Sequence, residues 1–332
     1  MKISKYLSLL FFIFCRLSSV VIVTHGAFAQ KSSWYQPGGK FFEELKKEDN
    51  NLNHEIISFS WKQNLGGVTH YELMNAGIEL SKLILDFAKK EGKQEIILIG
   101  HSYGGHVIKV ASQLLDDFVD NFEMYDIKFK IFSDNFLDKK SIEMFEREKL
   151  DLQAAFLQAQ KEVQKYKNTL GFEEKRNNKN YLIDSVYTLG TPNDIQDYVA
   201  SMNIIGKFYN FYSKGDLVQG AVGNVLLPDP KHDRSVDLCI EIKNDGWFGW
   251  GAPNHTEIHT EVVAQWILKI PFTLMKEKIG NFQNFSFDLT GNIFFSKNNP
   301  PVYSILDKNE GIGSLGQFWG WFANWIGLNN YV

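Results

Sequence analysis

Cysteine is nearly absent from the chain. Its 332 residues include two, Cys15 and Cys239, and Cys15 lies in a hydrophobic leader, so no disulfide framework is supported and the redox compartment is left open. Charge of one sign is also lacking. The 35 Lys and Arg against 39 Asp and Glu give a net charge of −4. The basic residues are scattered among acids rather than collected in a stripe, which argues against a nucleic-acid partner. There is no internal repeat. His, Cys and carboxylates show no metal-ligand spacing, and no phosphate-cradling loop or dinucleotide fingerprint is present, so neither a metal nor a cofactor is expected. With 44% hydrophobic and 22% charged residues, neither wholesale disorder nor a multi-span membrane protein is indicated. Aromatics, in contrast, are abundant. The 27 Phe, 13 Tyr and 8 Trp imply that some aromatic area faces a pocket, a partner or a lipid surface.

The amino terminus, MKISKYLSLLFFIFC, places two lysines before a short apolar run, as a secretory signal does. Arg16 breaks that run short of the roughly 20 residues a spanning helix needs. Residues 1–18 are therefore expected to be a signal-like or anchoring leader, favouring a secreted or membrane-associated protein over a cytoplasmic one. Ala27-Phe28-Ala29 mimics a cleavage site, but cutting there would remove VVIVTHGA, the first expected core strand.

Apolar runs alternate with amphipathic segments in the manner of a mostly parallel sheet flanked by helices. Strands are expected at Val20–Thr24, Glu55–Trp61, Glu95–Gly100, Leu182–Leu189, Lys207–Ser213 and Asp237–Ile242. Helices are expected at Gly39–Lys47, Tyr71–Lys90, Tyr103–Leu115 and Thr256–Leu268, where apolar residues recur every three or four positions. Residues 116–180 interrupt the alternation as an insertion too long for a connecting loop. Its Phe145, Leu152, Phe156, Ala159, Val163 and Tyr166 form one apolar helical seam. Such a helix either packs on the main domain or caps a site, and its place directly after the third strand's helix favours an inserted helical cap. Beyond residue 280, NFSFDL and NIFFSK around Thr290-Gly291-Asn292 read as a hairpin. In the tail, Trp319, Trp321, Phe322, Trp325 and Ile326 lie close together without lysine or arginine. They either approach a membrane surface or pack inward.

The strongest chemical signal is Gly100-His101-Ser102-Tyr103-Gly104, preceded by the strand-like EIILI and followed by a helical pattern. This is a nucleophile elbow. Its turn is so tight that the serine adopts strained backbone angles, and a side chain on Gly100 or Gly104 would collide with the neighbouring strand or helix.

Several separated segments resemble lipases and serine esterases of the α/β-hydrolase superfamily. VVIVTHGAFAQKSSW is similar to their first strand and oxyanion loop, Leu189-Gly190-Thr191-Pro192 to a later L-G-T-P segment, and Tyr212-Ser213-Lys214-Gly215-Asp216 to the strand end that supplies the acid. The likeness spans residues 19–268. It implies an α/β-hydrolase fold over residues 19–280 carrying the 116–180 insertion, followed by a C-terminal hairpin and tail over 281–332.

The resemblance also implies roles. Ser102 would be the nucleophile, and the amides of Tyr103 and Ala27 the oxyanion donors. Asp216 would be the acid, with Asp194 as its rival. The family order of serine, acid, histidine leaves His25 to brace its loop. Asn254 and Glu257 can form a capping box, which puts His255 at a loop-helix junction, whereas His259 lies one turn farther on. His255 is therefore preferred as the base. The expected reaction is hydrolysis of a small-molecule or lipid acyl ester through an acyl-serine. An acyltransferase, thioesterase or amidase would use the same residues. A non-catalytic protein binding a membrane or partner on this scaffold is the remaining alternative.

Overall fold

The computed structural model describes residues 19–27, 29–49, 54–63, 68–90, 95–117, 119, 139–172, 181–192, 198–212, 216, 234–243, 255, 257–268, 282–288 and 293–296. The leader, the Trp-rich tail, Asp194 and Asn254 lie outside these residues. Eight strands form one sheet in the order β2-β1-β3-β4-β5-β6-β7-β8. They are β1 (Ser19–Thr24), β2 (His54–Phe59), β3 (Glu95–His101), β4 (Ile183–Leu189), β5 (Ile205–Tyr212), β6 (Ser235–Lys243), β7 (Phe282–Asp288) and β8 (Ile293–Ser296). All neighbours from β2 through β7 are parallel, and β8 returns antiparallel to β7. All six strands expected from the sequence form. The hairpin expected after residue 280 also forms, and its first strand extends the main sheet by pairing with β6.

The helices are α1 (Lys40–Asp49), α2 (His70–Lys89), α3 (Tyr103–Leu115), α4 (Lys139–Leu170) and α5 (Glu261–Ile267). Alternation along the central strands assigns them to two faces. Val20, Ile22, Ile96 and Leu98 belong to one cluster with side chains of α2, α3 and α4. Val21, Val23, Ile97 and Ile99 point the other way, into a cluster that takes Phe41 and Leu45 from α1 and Val263 and Ile267 from α5. Burial on both faces explains why these strands read as continuous apolar runs. The result is a three-layer α/β/α architecture, a mostly parallel sheet flanked by helices. Helix α2 starts at a capping box in which the Thr69 hydroxyl accepts from Glu72 N–H at 3.2 Å and Thr69 N–H donates to the Glu72 carboxylate at 2.9 Å.

The described helix of the insertion buries its seam against the main domain. Phe156 and Val163 are fully covered, as are nearly all of Leu152 and Ala159, and α4 packs on both α2 and α3. Polar groups fix its register. Lys82 reaches Glu162 at 2.7 Å, and Tyr166 O–H donates to Asp86 at 2.8 Å. These partners share one sequence offset, so α4 runs parallel to α2 with Leu150 level with His70. At about 1.5 Å per residue, the stretch before Leu150 extends roughly 16 Å past the start of α2, on the side of the sheet's carboxyl edge. At the other end Lys167 is buried and donates to the Leu115 carbonyl at 2.7 Å, closing the last turn of α3, and to Asp117 at 2.6 Å.

The last expected helix is shorter than its periodicity suggests. A 3-10 turn, Glu257–His259, precedes α5, which begins at Glu261 with Ala264 N–H donating to the Thr260 carbonyl at 3.1 Å. The tighter turn sends Ile258 fully into the core while His259 stacks on Trp34. His255 therefore sits in a loop ahead of the turn, and His255 and His259 do not share the face of one α-helix.

If the seam holds α4 in place, Phe156→Ala should cost about 3–5 kcal/mol through transfer and cavity terms. Leu157→Ala, at a position 39% exposed, should cost well under that. Urea denaturation of both variants tests this, and equal midpoints would exclude the packing described.

Candidate active site

β3 delivers Ser102 to the carboxyl edge of the sheet in a turn of unusual geometry. Its φ of 52° and ψ of −128° make it the one non-glycine residue with positive φ among the described residues. Holding such a conformation costs of order 1–3 kcal/mol, which the surroundings must offset. They do so through the main chain. Ser102 N–H donates to the Leu189 carbonyl at 2.9 Å, and the Ser102 carbonyl accepts from Gly105 N–H at 2.9 Å and from the Thr191 hydroxyl at 3.0 Å.

Close approach explains the glycines. A Cβ on Gly100 would lie 2.7 Å from the Gly104 carbonyl carbon, and one on Gly104 would lie 2.7 Å from the His25 carbonyl oxygen. Either contact is shorter than a methyl group tolerates, so β1, β3 and α3 meet as bare backbone. Gly26 presses on the serine from β1's end, where a Cβ would fall 2.5 Å from Ser102 Cβ. Ala27 follows directly, and Tyr103 opens α3. Gly26, which precedes Ala27, and Tyr103 thus adjoin Ser102 from two different chain segments.

Asp216 follows β5 and is almost fully buried. His255 Nδ1–H donates to its Oδ2 at 2.8 Å. Because a carboxylate only accepts, this bond puts the imidazole proton on Nδ1 and leaves Nε2 with a lone pair. Gly190 makes room for the pair. Its φ is +59°, and a Cβ there would lie 2.9 Å from Asp216 Oδ2 and 3.3 Å from His255 Nδ1. The Leu189-Gly190-Thr191 run therefore braces the serine with Leu189 and Thr191 and admits the Asp-His pair at Gly190.

His25 and His259 have other partners. His25 Nδ1–H donates to the Gly26 carbonyl at 2.7 Å, its Nε2 accepts from Trp61 N–H at 3.2 Å, and its ring stacks on that of Trp61 with 5.1 Å between centroids. It braces the loop that carries Ala27. The His259 ring lies 4.4 Å from Trp34, nearly parallel, and 4.5 Å from the ring of His101.

Burial keeps the imidazoles around His255 uncharged. Desolvation lowers His259 to about 4. Desolvation also holds His101 well below the ordinary range, helped by the neighbouring His259 and His255. A charged His101, whose ring is 4.7 Å from that of His255, would oppose a proton on His255 by about 3–4 kcal/mol at an effective dielectric near 20. Kept neutral, His101 and His259 place no positive charge against the His255 ring. The sequence reading missed this ring cluster. Trp34, His101 and His259 are far apart in the chain, and no local pattern links them.

Residues 17–133 match the model of a family described as "Putative serine esterase (DUF676)". That stretch holds Gly26, Ala27 and the elbow, and ends before Asp216 and His255. No curated protein sequence matches the chain. Among solved structures the chain is similar to the crystal structure of esterase B from Lactobacillus rhamnosis (HN001). That similarity has 8% identity and a TM-score of 0.31, and covers 84% of this chain and 67% of that one. The family match, with the sheet and the elbow, supports a hydrolase of the esterase type.

The buried neutral histidines also predict a pH dependence of stability. Their folded pKa values lie below the unfolded value near 6.5, so the unfolded chain binds more protons as the medium acidifies. Stability should fall as pH drops from about 6.5, down to about 4 for His259. His259→Phe keeps a ring on Trp34 and should flatten the slope by up to about 1.4 kcal/mol per pH unit. Identical slopes for the variant and the parent protein would contradict a neutral buried His259.

Proposed function

We propose that the protein hydrolyses carboxylic esters with hydrophobic acyl groups through an acyl-Ser102 intermediate. The observation that carries this reading is the buried Asp216–His255 hydrogen bond, held across Gly190 from a serine in strained geometry. In the first half-reaction His255 Nε2 takes the Ser102 hydroxyl proton as Oγ bonds to the ester carbonyl carbon. The carbonyl oxygen becomes an oxyanion and accepts hydrogen bonds from the amides of Ala27 and Tyr103. Asp216 stabilises the imidazolium. His255 then gives its proton to the leaving alkoxide oxygen as the C–O bond breaks. Water repeats the sequence on the acyl-enzyme, giving a carboxylic acid and restoring Ser102. The amino-terminal stretch of α4 overhanging the carboxyl edge supports a further part for the insertion, as a cap that shapes the acyl pocket.

Ser102→Ala should abolish both turnover of p-nitrophenyl esters and labelling by a fluorophosphonate probe while leaving the folding transition unchanged. Labelling at another serine would remove the assignment. His255→Ala should lose at least about 10³-fold in kcat, whereas His259→Phe should keep most activity. The reverse would make His259 the base. Activity should also fall on acidification through the imidazole range, because the base must be neutral to act. Product analysis with water and with added alcohols separates hydrolysis from acyl transfer.

Replacing residues 120–149 with a short linker should change preference among acyl chain lengths and leave probe labelling in place. An unchanged chain-length profile would take the insertion out of the pocket.

A further inference from the structure

His101, the residue before the nucleophile, has contacts that the elbow itself does not require. Its ring is 5% exposed, and its Nε2–H donates to the main-chain carbonyl of His255 at 2.9 Å. Its Nδ1 is buried with no hydrogen-bond partner. Only one edge of the ring is used for polar contact, and that edge faces the loop carrying His255. The remaining edges are enclosed by aromatic rings. The Trp34 ring stands edge-on at 5.5 Å and that of His259 at 4.5 Å, and these two stack on each other at 4.4 Å.

These contacts join three chain segments. Trp34 belongs to the loop after Gly26 that carries Ala27, and its carbonyl accepts from Phe42 N–H at 3.1 Å, anchoring it to α1. His101 is covalently next to Ser102. His255 and His259 flank the start of the last 3-10 turn. The Asp216 bond fixes one ring nitrogen of His255 but does not fix the main chain from which the ring hangs.

From this geometry we infer that His101 is a positioning residue that holds the His255 main chain in register with Ser102 through its Nε2–H···O=C bond. The inference rests on the Ser102–His255 reading above. Serine and base sit on segments separated by nearly half of the chain, and a proton transfer between them tolerates little displacement. A misplacement of about 1 Å can cost about 10²-fold in rate. A bond from the side chain adjacent to the serine to the backbone of the base spans that gap directly. A neutral imidazole suits the task, since it supplies a donor and flat faces for Trp34 and His259 without adding charge beside His255.

Two substitutions separate the donor from the ring. His101→Phe keeps a ring for Trp34 and His259 but has no donor, and His101→Gln has an amide nitrogen the same number of bonds from Cβ as Nε2 but no ring. With p-nitrophenyl butyrate as substrate, His101→Phe should lower kcat about 10–100-fold with KM within about twofold, and His101→Gln should recover most of kcat. Thermal unfolding of each variant reports on folding, and His101→Leu serves as a second donor-less variant should Phe not be accommodated. A donor-less variant with parental kcat, a loss confined to KM, or equal losses in the Gln and donor-less variants would each overturn the inference. Ser102→Ala is assayed alongside. Turnover by that variant would instead overturn the catalytic reading on which the inference depends.

Discussion

The architecture around the serine depends on how closely backbone can approach backbone at the end of β3. Ser102 keeps a conformation that L-residues avoid because β1, β4 and α3 close on it with no side chains between them. Leu189 and Thr191 hold its amide and carbonyl, while Gly26, Gly100 and Gly104 leave the space. One methyl group at any of these glycines would push apart segments that are otherwise fixed by the sheet, so the local strain and the parallel pairing support each other. Ser102 is thus positioned by β-ladder register more than by any contact of its own side chain.

Electrostatics around His255 follow from the same compactness. Rings packed tightly enough to exclude water keep His101 and His259 neutral. The only described hydrogen-bonding partner of the His255 ring is the buried Asp216 carboxylate. Among the described residues, the buried Asp216 carboxylate and the uncharged ring of His101 lie beside the His255 ring. His25 is lowered by burial as well, but its two ring nitrogens are occupied by Gly26 and Trp61, which makes it part of the frame of the loop that carries Ala27.

How much of this was legible in the sequence depends on whether the signal was local. Strands such as VVIVT and EIILIG announce themselves because both faces are buried, and the elbow does so because its glycines are forced by contacts within a few residues. Asp216 was reachable only through resemblance, since nothing near it distinguishes it from a turn aspartate, and His255 only through resemblance joined to the local pattern of Asn254 and Glu257. Helical periodicity from Thr256 onward overstated the last helix. The chain instead makes a 3-10 turn whose geometry is set by Ile258 entering the core and His259 meeting Trp34, contacts that no window of neighbouring residues contains. The seam of the insertion was legible as a helix, whereas the surface it faces was not. Alternation of apolar and polar residues defines a stripe, and only tertiary packing decides what the stripe covers.

Lys167, in the last turn of α4, grips both the last carbonyl of α3 and Asp117 at the entrance to the insertion, which draws α3 and α4 into a closed neck at the sheet edge opposite Ser102. Closing such a loop costs free energy that rises only slowly with its length. Segments between those points and outside the buried seam of α4 could be lengthened, shortened or exchanged without moving β4 or the elbow. The neck is therefore a natural grafting point, where new recognition surfaces can be tried against an unchanged reaction centre.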